Sequence, residues 1–85
     1  MILKPRPDLA IEIADGEFII LDKAAGQVHQ LNSAASFVWQ CLTDGIGTDE
    51  IALQLAEAFG IELETALVDV QAAVAQFKAL ALVDE

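Results

Sequence analysis

Two side chains of the sequence are of types that often carry out chemistry, His29 and Cys41, and each type occurs once. A zinc site needs about four ligands, which one cysteine and one histidine cannot supply. A reactive thiol needs a positively charged neighbour to lower its pKa, and no base lies near Cys41 in the sequence. We therefore interpret Cys41 as a buried core thiol, and His29 as a structural side chain or a contact to a partner.

The acidic residues and the glycines do not form a reactive group either. The pair Asp49-Glu50 is best explained as negative charge at the positive end of a helix dipole. Gly45 and Gly47 lack the Lys-Ser/Thr that follows in a phosphate-binding loop. We predict that the protein is not an enzyme and has no catalytic residue, metal site or cofactor.

The charge balance excludes several kinds of partner. The 85 residues include 14 acids and 4 bases, a formal net charge of −10. Nucleic acids and anionic membrane surfaces are both bound mainly through Lys and Arg, so we exclude both as partners. No long apolar run could span a membrane, and residues 1–7 lack the features of a signal peptide. A single cysteine is typical of a reducing compartment, so we predict a cytoplasmic protein.

The first part of the chain has the pattern of a three-stranded antiparallel meander. Residues 1–8 form a loose lead-in that two prolines keep extended. Three strands follow at residues 9–13, 17–22 and 27–31. Asp15-Gly16 predicts a type I′ hairpin turn between the first two. The apolar run 18–21 in the second strand indicates cover on both faces of the sheet.

The spacing of apolar residues then changes to a helical one. Asn32 or Ser33 caps a first helix that ends at residues 44–47. Thr48 is the expected N-cap of a second helix, and Gly60 its C-terminal stop. A third helix begins near Glu62 or Glu64. The expected inner stripes are Phe37, Val38, Cys41 and Leu42; then Ile51, Leu55 and Phe59; then Leu63, Leu67, Val70, Val74 and Phe77.

These elements predict one α+β domain over residues 1–85, with a winged-helix-like fold. A three-stranded antiparallel meander is followed by a three-helix bundle. The third helix lacks the bases of a DNA-reading helix. Trp39 lies beside the inner stripe of the first helix, where it either fills the core or anchors a partner. The tail, Leu82-Val83-Asp84-Glu85, either pairs with another strand or packs on the core.

Two features suggest a binding groove. The third strand lies at a sheet edge and contains neither Pro nor Lys, which commonly block such edges. The third helix carries small apolar residues outside its inner stripe. These either form a smooth wall for another chain or only raise helix propensity. An open edge beside an apolar helix could take up an extended peptide by strand addition.

An ordered set of short motifs now resembles the PqqD-like family. The set covers most of the chain from about residue 17: Leu21-Asp22, Gly26-Gln27-Val28-His29-Gln30-Leu31-Asn32, Ala35, Val38-Trp39, Gly45, Thr48, Glu50-Ile51-Ala52, Leu55, Asp69-Val70 and Leu82-Val83. The sequence departs from the family at Ala81, where relatives often have Gly. The family takes its name from coenzyme PQQ synthesis protein D and comprises small precursor-peptide recognition elements.

The resemblance implies a function. Family members bind the leader of a ribosomally made precursor peptide as an added strand, between the third strand and the third helix. They present it to a modifying enzyme, often a radical SAM protein. We expect a non-catalytic peptide chaperone whose enzyme is a separate protein. The acidic surface suggests a basic leader or a basic dock on the enzyme.

The expected peptide-binding residues combine the third strand with one face of the third helix: Gln27, Val28, His29, Gln30, Leu31, Ala66, Val70, Ala73 and Phe77. The flank of the helix that faces the peptide stays open, and Val70 and Phe77 could belong to the core alone. The alternative function is a homodimeric or adaptor interaction module without a peptide substrate. In that case a partner subunit covers the second strand and the third helix.

Overall fold

The computed structural model describes residues 3–84, which form five strands and three helices. The strands are β1 (Lys4–Pro5), β2 (Ala10–Ala14), β3 (Glu17–Asp22), β4 (Gln27–Gln30) and β5 (Val83–Asp84). The helices are α1 (Ser33–Thr43), α2 (Thr48–Phe59) and α3 (Leu63–Ala79). The main sheet is antiparallel in the order β2-β3-β4, and the three helices follow it in the chain. The α+β, winged-helix-like plan expected from the sequence is confirmed.

The β2–β3 hairpin has the turn that its sequence predicts. Asp15 and Gly16 both adopt positive φ angles, 53° and 78°. Positive φ at both central residues defines a type I′ turn, whose twist matches that of the flanking strands. The turn sets a register in which Ala14 pairs with Glu17 and Ile11 pairs with Ile20.

The helices cover only one face of this sheet. Ile20 is fully buried, and Phe18 packs against the same core. Ile19 and Leu21 point to the opposite face, are half-buried and take no part in the core. The expectation that β3 is covered on both faces is therefore wrong, and a single-faced sheet explains why these two residues keep exposed surface.

The helix boundaries follow from their caps. Asn32 caps α1, and its Oδ1 accepts a hydrogen bond from the Ala35 N–H at 2.8 Å. Gly60 ends α2 in the left-handed conformation, with φ of 63°. Thr48 is not the N-cap of α2, because Gly47 holds that position and Thr48 is the first helical residue. Glu62 precedes α3 as its N-cap residue.

The inner stripe of α3 differs from the expected one. Its buried residues are Ala66, Val70, Ala73 and Phe77. Leu63 and Leu67 are 43% and 38% exposed, so the stripe is rotated away from the larger side chains. Similarly, Phe59 at the end of α2 is 42% exposed and packs edge-on against Phe37.

The two ends of the chain are joined, so residues 3–8 are not the loose lead-in that we expected. Leu3 is fully buried, and β1 pairs antiparallel with β5. The Arg6 guanidinium contacts the carboxylates of Asp22 and Asp8 and the Ala81 carbonyl. The pairing of β5 settles how the tail is placed, because Val83 lies opposite Pro5.

Trp39 fills the core between α1 and α3. It is 2% exposed, and its ring meets Phe77 edge-on with centroids 5.0 Å apart. Trp39 therefore packs in the core, and its remaining surface lines a cleft beside β1. Within residues 3–84, no helix is long and apolar enough to cross a membrane.

Candidate functional site

The strand β4 forms one edge of the main sheet, as the sequence predicts. Its hydrogen bonds to β3 alternate along the strand, because neighbouring residues of an antiparallel strand point their backbone groups to opposite sides. The Leu31 N–H donates to the Phe18 carbonyl at 2.8 Å. His29 lies opposite Ile20 in the same register, so its backbone N–H and C=O groups also point toward β3. The N–H and C=O groups of Val28 and Gln30 therefore point away from the sheet.

Ser36 closes the ladder at the end of β4. Its hydroxyl donates to the Leu31 carbonyl at 3.2 Å and accepts from the Phe18 N–H at 2.9 Å. The side chain is 3% exposed and replaces the backbone bond that Phe18 and Leu31 would otherwise share. This bridge ties the start of α1 to the sheet, so the β4 edge is held firmly next to the helices.

The helix α3 does not pack directly against this edge. No Cα atom of α3 lies within 8 Å of a Cα atom of β4. In line with β4, where the chain enters α1, a cavity of about 240 Å³ is lined by Asn32, Ala34, Ala35, Asp69, Ala72, Ala73 and Gln76. We call the β4 edge, this cavity and the space between them the β4–α3 groove. Its helix wall is the flank of α3 that carries Asp69, Ala72 and Gln76.

The predicted residues of β4 are distributed between the edge and the sheet face. Val28 is 66% exposed, and Gln27 and Gln30 are exposed too. The side chain of Gln30 donates to the Glu17 carboxylate at 3.4 Å. Leu31 is 1% exposed and belongs to the core. Val28 and Gln30, inside the predicted segment, thus provide the outward backbone N–H and C=O groups of the edge.

His29 lies on the helix-facing side of the sheet, opposite the buried Ile20. It is half-buried, and its Nε2 is shielded from solvent without a hydrogen-bond partner among the described residues. Leaving a buried polar atom unpaired costs about 1–3 kcal/mol. The adjacent open edge of β4 is where a new chain could bring a partner to this nitrogen.

The four predicted residues of α3 all point into the core: Ala66, Val70, Ala73 and Phe77 are between 0% and 7% exposed. Of these, only Ala73 lines the groove cavity. Contact of the other three with a peptide stays a prediction, and their visible role is packing. The cavity lining also contains three residues of α3 that were not predicted, Asp69, Ala72 and Gln76, which share a helical face at spacings of three and four. Their closeness to the predicted Ala73 along the helix was the available signal. It was overlooked because the sequence predicted a different buried face for α3.

The remaining candidates for chemistry are distant from one another. Burial raises the pKa of the Cys41 thiol, and the nearby Asp44 carboxylate raises it further, so the thiol stays protonated at neutral pH. Its sulfur lies 4.0 Å from the amide oxygen of Gln54. Among residues 3–84, no three His, Cys, Asp or Glu side chains come close enough to hold a metal ion.

Comparison with known proteins agrees with this geometry. No curated protein matched the sequence. Two solved structures share the fold, and the first is described as TbiB1 in complex with the TbiA(beta) leader peptide. It aligns with a TM-score of 0.86 over 95% of this chain and 94% of its own, at 18% identity. The second, lasso peptide synthetase B1 complexed with the leader peptide, aligns with a TM-score of 0.88 over 100% of both chains at 26% identity.

The sequence also matches a family profile. The profile described as coenzyme PQQ synthesis protein D (PqqD) matches residues 17–83. This range runs from the start of β3 through β4 and all three helices to the first residue of β5. The chain therefore belongs to the PqqD family.

Proposed function

We propose that this protein is a recognition element that binds the leader segment of a precursor peptide and does not itself catalyse a reaction. The single observation that carries the proposal is the open β4 edge, whose outward N–H and C=O groups pair with no other described strand. Membership of the PqqD family and the two leader-peptide complexes of the same fold support this ligand. The peptide would be handed to a separate modifying enzyme in the cytoplasm.

The outward groups of β4 define how a leader would bind. In antiparallel addition, the N–H and C=O groups of Val28 and Gln30 would form four backbone hydrogen bonds with the peptide. At about 0.5–1.5 kcal/mol each, these contribute roughly 2–6 kcal/mol. Micromolar affinity needs about 8 kcal/mol. Apolar side chains of the leader that enter the groove must supply the rest, and with it the selectivity.

The groove wall favours particular leader side chains. The peptide residue opposite His29 would lie on the helix-facing side, in a pair with no backbone hydrogen bonds and side chains close together. There it meets Ala72, Ala73 and the polar ends of Asp69 and Gln76. Asp69 is the one charged residue of that lining, so a neighbouring basic residue of the leader would be favoured. The alternative of a homodimer without a peptide substrate would leave this polar lining unused.

Proline substitution on β4 tests the proposal. Gln30→Pro removes an outward N–H, so the fold should survive while affinity for the leader falls about tenfold or more. His29→Pro removes an N–H that faces β3 and should unfold the sheet. The measurement is a titration, followed by backbone amide shifts, with the leader of the precursor peptide encoded beside this gene.

The outcomes separate the two functions. Shifts confined to β4 and the Asp69 flank of α3, lost in Gln30→Pro, support strand addition. A folded Gln30→Pro variant that binds the leader as tightly as the parent would contradict it. Concentration-dependent self-association, with no shifts at saturating leader, would favour the dimer instead.

A further inference from the structure

The main sheet has a second open edge, β2, on the side away from β4. The residues of β3 that bond to β4 are Phe18, Ile20 and Asp22, so Ile19 and Leu21 direct their backbone groups toward β2. Their partners Glu12 and Ala10 therefore point their backbone N–H and C=O groups toward β3. Ile11 and Ile13 point theirs outward, away from the sheet. Apart from β3, no described helix or strand has a Cα atom within 8 Å of β2.

An apolar cleft lies beside this edge. It has a volume of about 430 Å³ and is lined by Lys4, Pro5, Arg6, Pro7, Leu9, Ile11, Trp39, Leu42, Thr43 and Gly45. Ile11 and Ile13 project on this helix-facing side and are 40% and 67% exposed. An exposed isoleucine pair along an open strand edge is the kind of surface that proteins normally cover or use.

The charges around β2 define the occupant. Glu12 lies on the outer face of the strand, between the two isoleucines, and is exposed. Asp15 and Glu17 stand at the adjoining turn. The two bases that line the cleft are opposed by acids, because Arg6 is held by Asp8 and Asp22 and Lys4 has Asp84 opposite it in the β1–β5 pair. The edge therefore presents apolar side chains on one face and uncompensated negative charge on the other.

We propose that β2 is a second strand-addition site, which takes an extended segment of a partner protein with alternating apolar and basic residues. Its apolar side chains, opposite Ile11 and Ile13, would enter the cleft against Trp39 and Leu42. A Lys or Arg opposite Glu12 would sit in the closely spaced pair position, where opposite charges stabilise. With the leader on β4, such a segment completes a five-stranded sheet.

The negative charge of the chain favours a basic segment over a second copy of the chain as the occupant of β2. A second copy of the chain would bring another net charge of −10 and, in one antiparallel register, place Glu12 opposite Glu12. A basic segment is instead attracted by the whole molecule, which speeds its association. The site rests on the proposed function only in that the modifying enzyme is the protein expected to carry this segment.

The test uses a short capped peptide that alternates Lys and Val, with one that alternates Glu and Val as its counterpart. Both are titrated into the full chain, and backbone amide shifts are followed. The Lys–Val peptide should shift the amides of Ile11 and Ile13, and it should do so equally in the parent and in Gln30→Pro. Glu12→Lys should weaken its binding about fivefold or more.

A matched variant controls for net charge. Glu57→Lys changes the total charge equally at an exposed position of α2, away from the cleft, and should leave binding almost unchanged. Three results with the Lys–Val peptide would overturn the proposal: equal losses of binding in the two variants, amide shifts at β4 alone, or no amide shifts at saturation. Equally tight binding of the Glu–Val peptide would overturn it as well. Self-association through β2 would overturn it in favour of a second copy.

The same titrations distinguish the two sites. Gln30→Pro should weaken leader binding about tenfold or more and leave the Lys–Val peptide bound at β2. A leader that shifts the β4 amides, together with a Lys–Val peptide that leaves the Ile11 and Ile13 amides unshifted, would count against the β2 site only. A leader that fails to bind the parent, while the Lys–Val peptide binds at β2, would count against the proposed function only.

Discussion

At the scale of single residues, His29 is the side chain whose surroundings are incomplete. It was ambiguous in the sequence, where a structural histidine and a partner contact fitted the same pattern. Its Nε2 is buried without a partner among the described residues, whereas the nearby Ser36 hydroxyl satisfies two backbone groups. An unpaired buried nitrogen costs free energy in the unbound chain, and a hydrogen-bond partner supplied by a bound peptide would recover that cost.

The prediction for this position separates stability from binding. His29→Phe removes the unpaired nitrogen and keeps a ring, so the free energy of unfolding should stay equal or increase. Leader affinity should fall about threefold to tenfold, because one hydrogen bond to the peptide is lost. His29→Gln, which keeps a polar group, should lose less. Chemical denaturation and calorimetric titration measure the two effects, and a Phe variant that binds as tightly as the parent would rule out this role for Nε2.

At the scale of elements, the sequence was most informative where local chemistry decides the structure. The type I′ turn at Asp15-Gly16 and the Asn32 cap depend on a few adjacent residues, and both are found as predicted. The stripe of α3 depends on its neighbours instead. Ala66 and Ala73 are buried while Leu63 and Leu67 keep exposed surface, so the hydrophobicity of single residues indicated the wrong phase.

The β1–β5 pair could not have been predicted for a similar reason. Two-residue strands have no periodicity to detect. Their pairing depends on contacts between the two ends of the chain. The β4 edge was predictable because it follows from strand order alone, but the flank of α3 that lines the neighbouring cavity was not. That flank required the position of α1, whose first residues line the same cavity.

The end of α3 offers a prediction about an element. Ala81 has a φ of 56°, in the left-handed region that Gly adopts most readily. The Leu82 N–H bonds to the Phe77 carbonyl and the Ala81 N–H to that of Lys78, which is the Schellman pattern. The left-handed conformation costs a non-glycine residue about 1–2 kcal/mol. Ala81→Gly should therefore raise the free energy of unfolding by about 0.5–1 kcal/mol and increase Tm by a few degrees.

Ala75→Gly is the matched control for this change. It introduces the same residue at an exposed site inside α3, four residues before the helix ends, where Gly should destabilise by about 0.5–1 kcal/mol. Thermal unfolding of the two variants should thus move in opposite directions from the parent. Destabilisation by both would mean that the positive φ at Ala81 carries no strain.

At the scale of the whole molecule, Arg6 connects parts that are far apart in sequence. It joins the N-terminal segment to Asp22 at the end of β3 and to the Ala81 carbonyl at the end of α3. The Asp22 carboxylate is 2% exposed and also accepts a hydrogen bond from the Ala25 N–H. In a chain of net charge −10, whose carboxylates mostly repel one another, this contact places a buried acid beside a base.

The last prediction concerns the stability of this contact against pH. Hydrogen bonding to Arg6 lowers the pKa of Asp22 below its ordinary value of 3.8. The stabilisation is therefore complete above about pH 4 and is lost as the pH falls through the lowered pKa, where Asp22 takes up a proton. Asp22→Asn should be less stable than the parent by a constant amount at neutral pH, and the difference should shrink at acid pH. Urea unfolding at a series of pH values measures this, and a difference between the parent and Asp22→Asn that persists undiminished at acid pH would show that the ion pair is not its source.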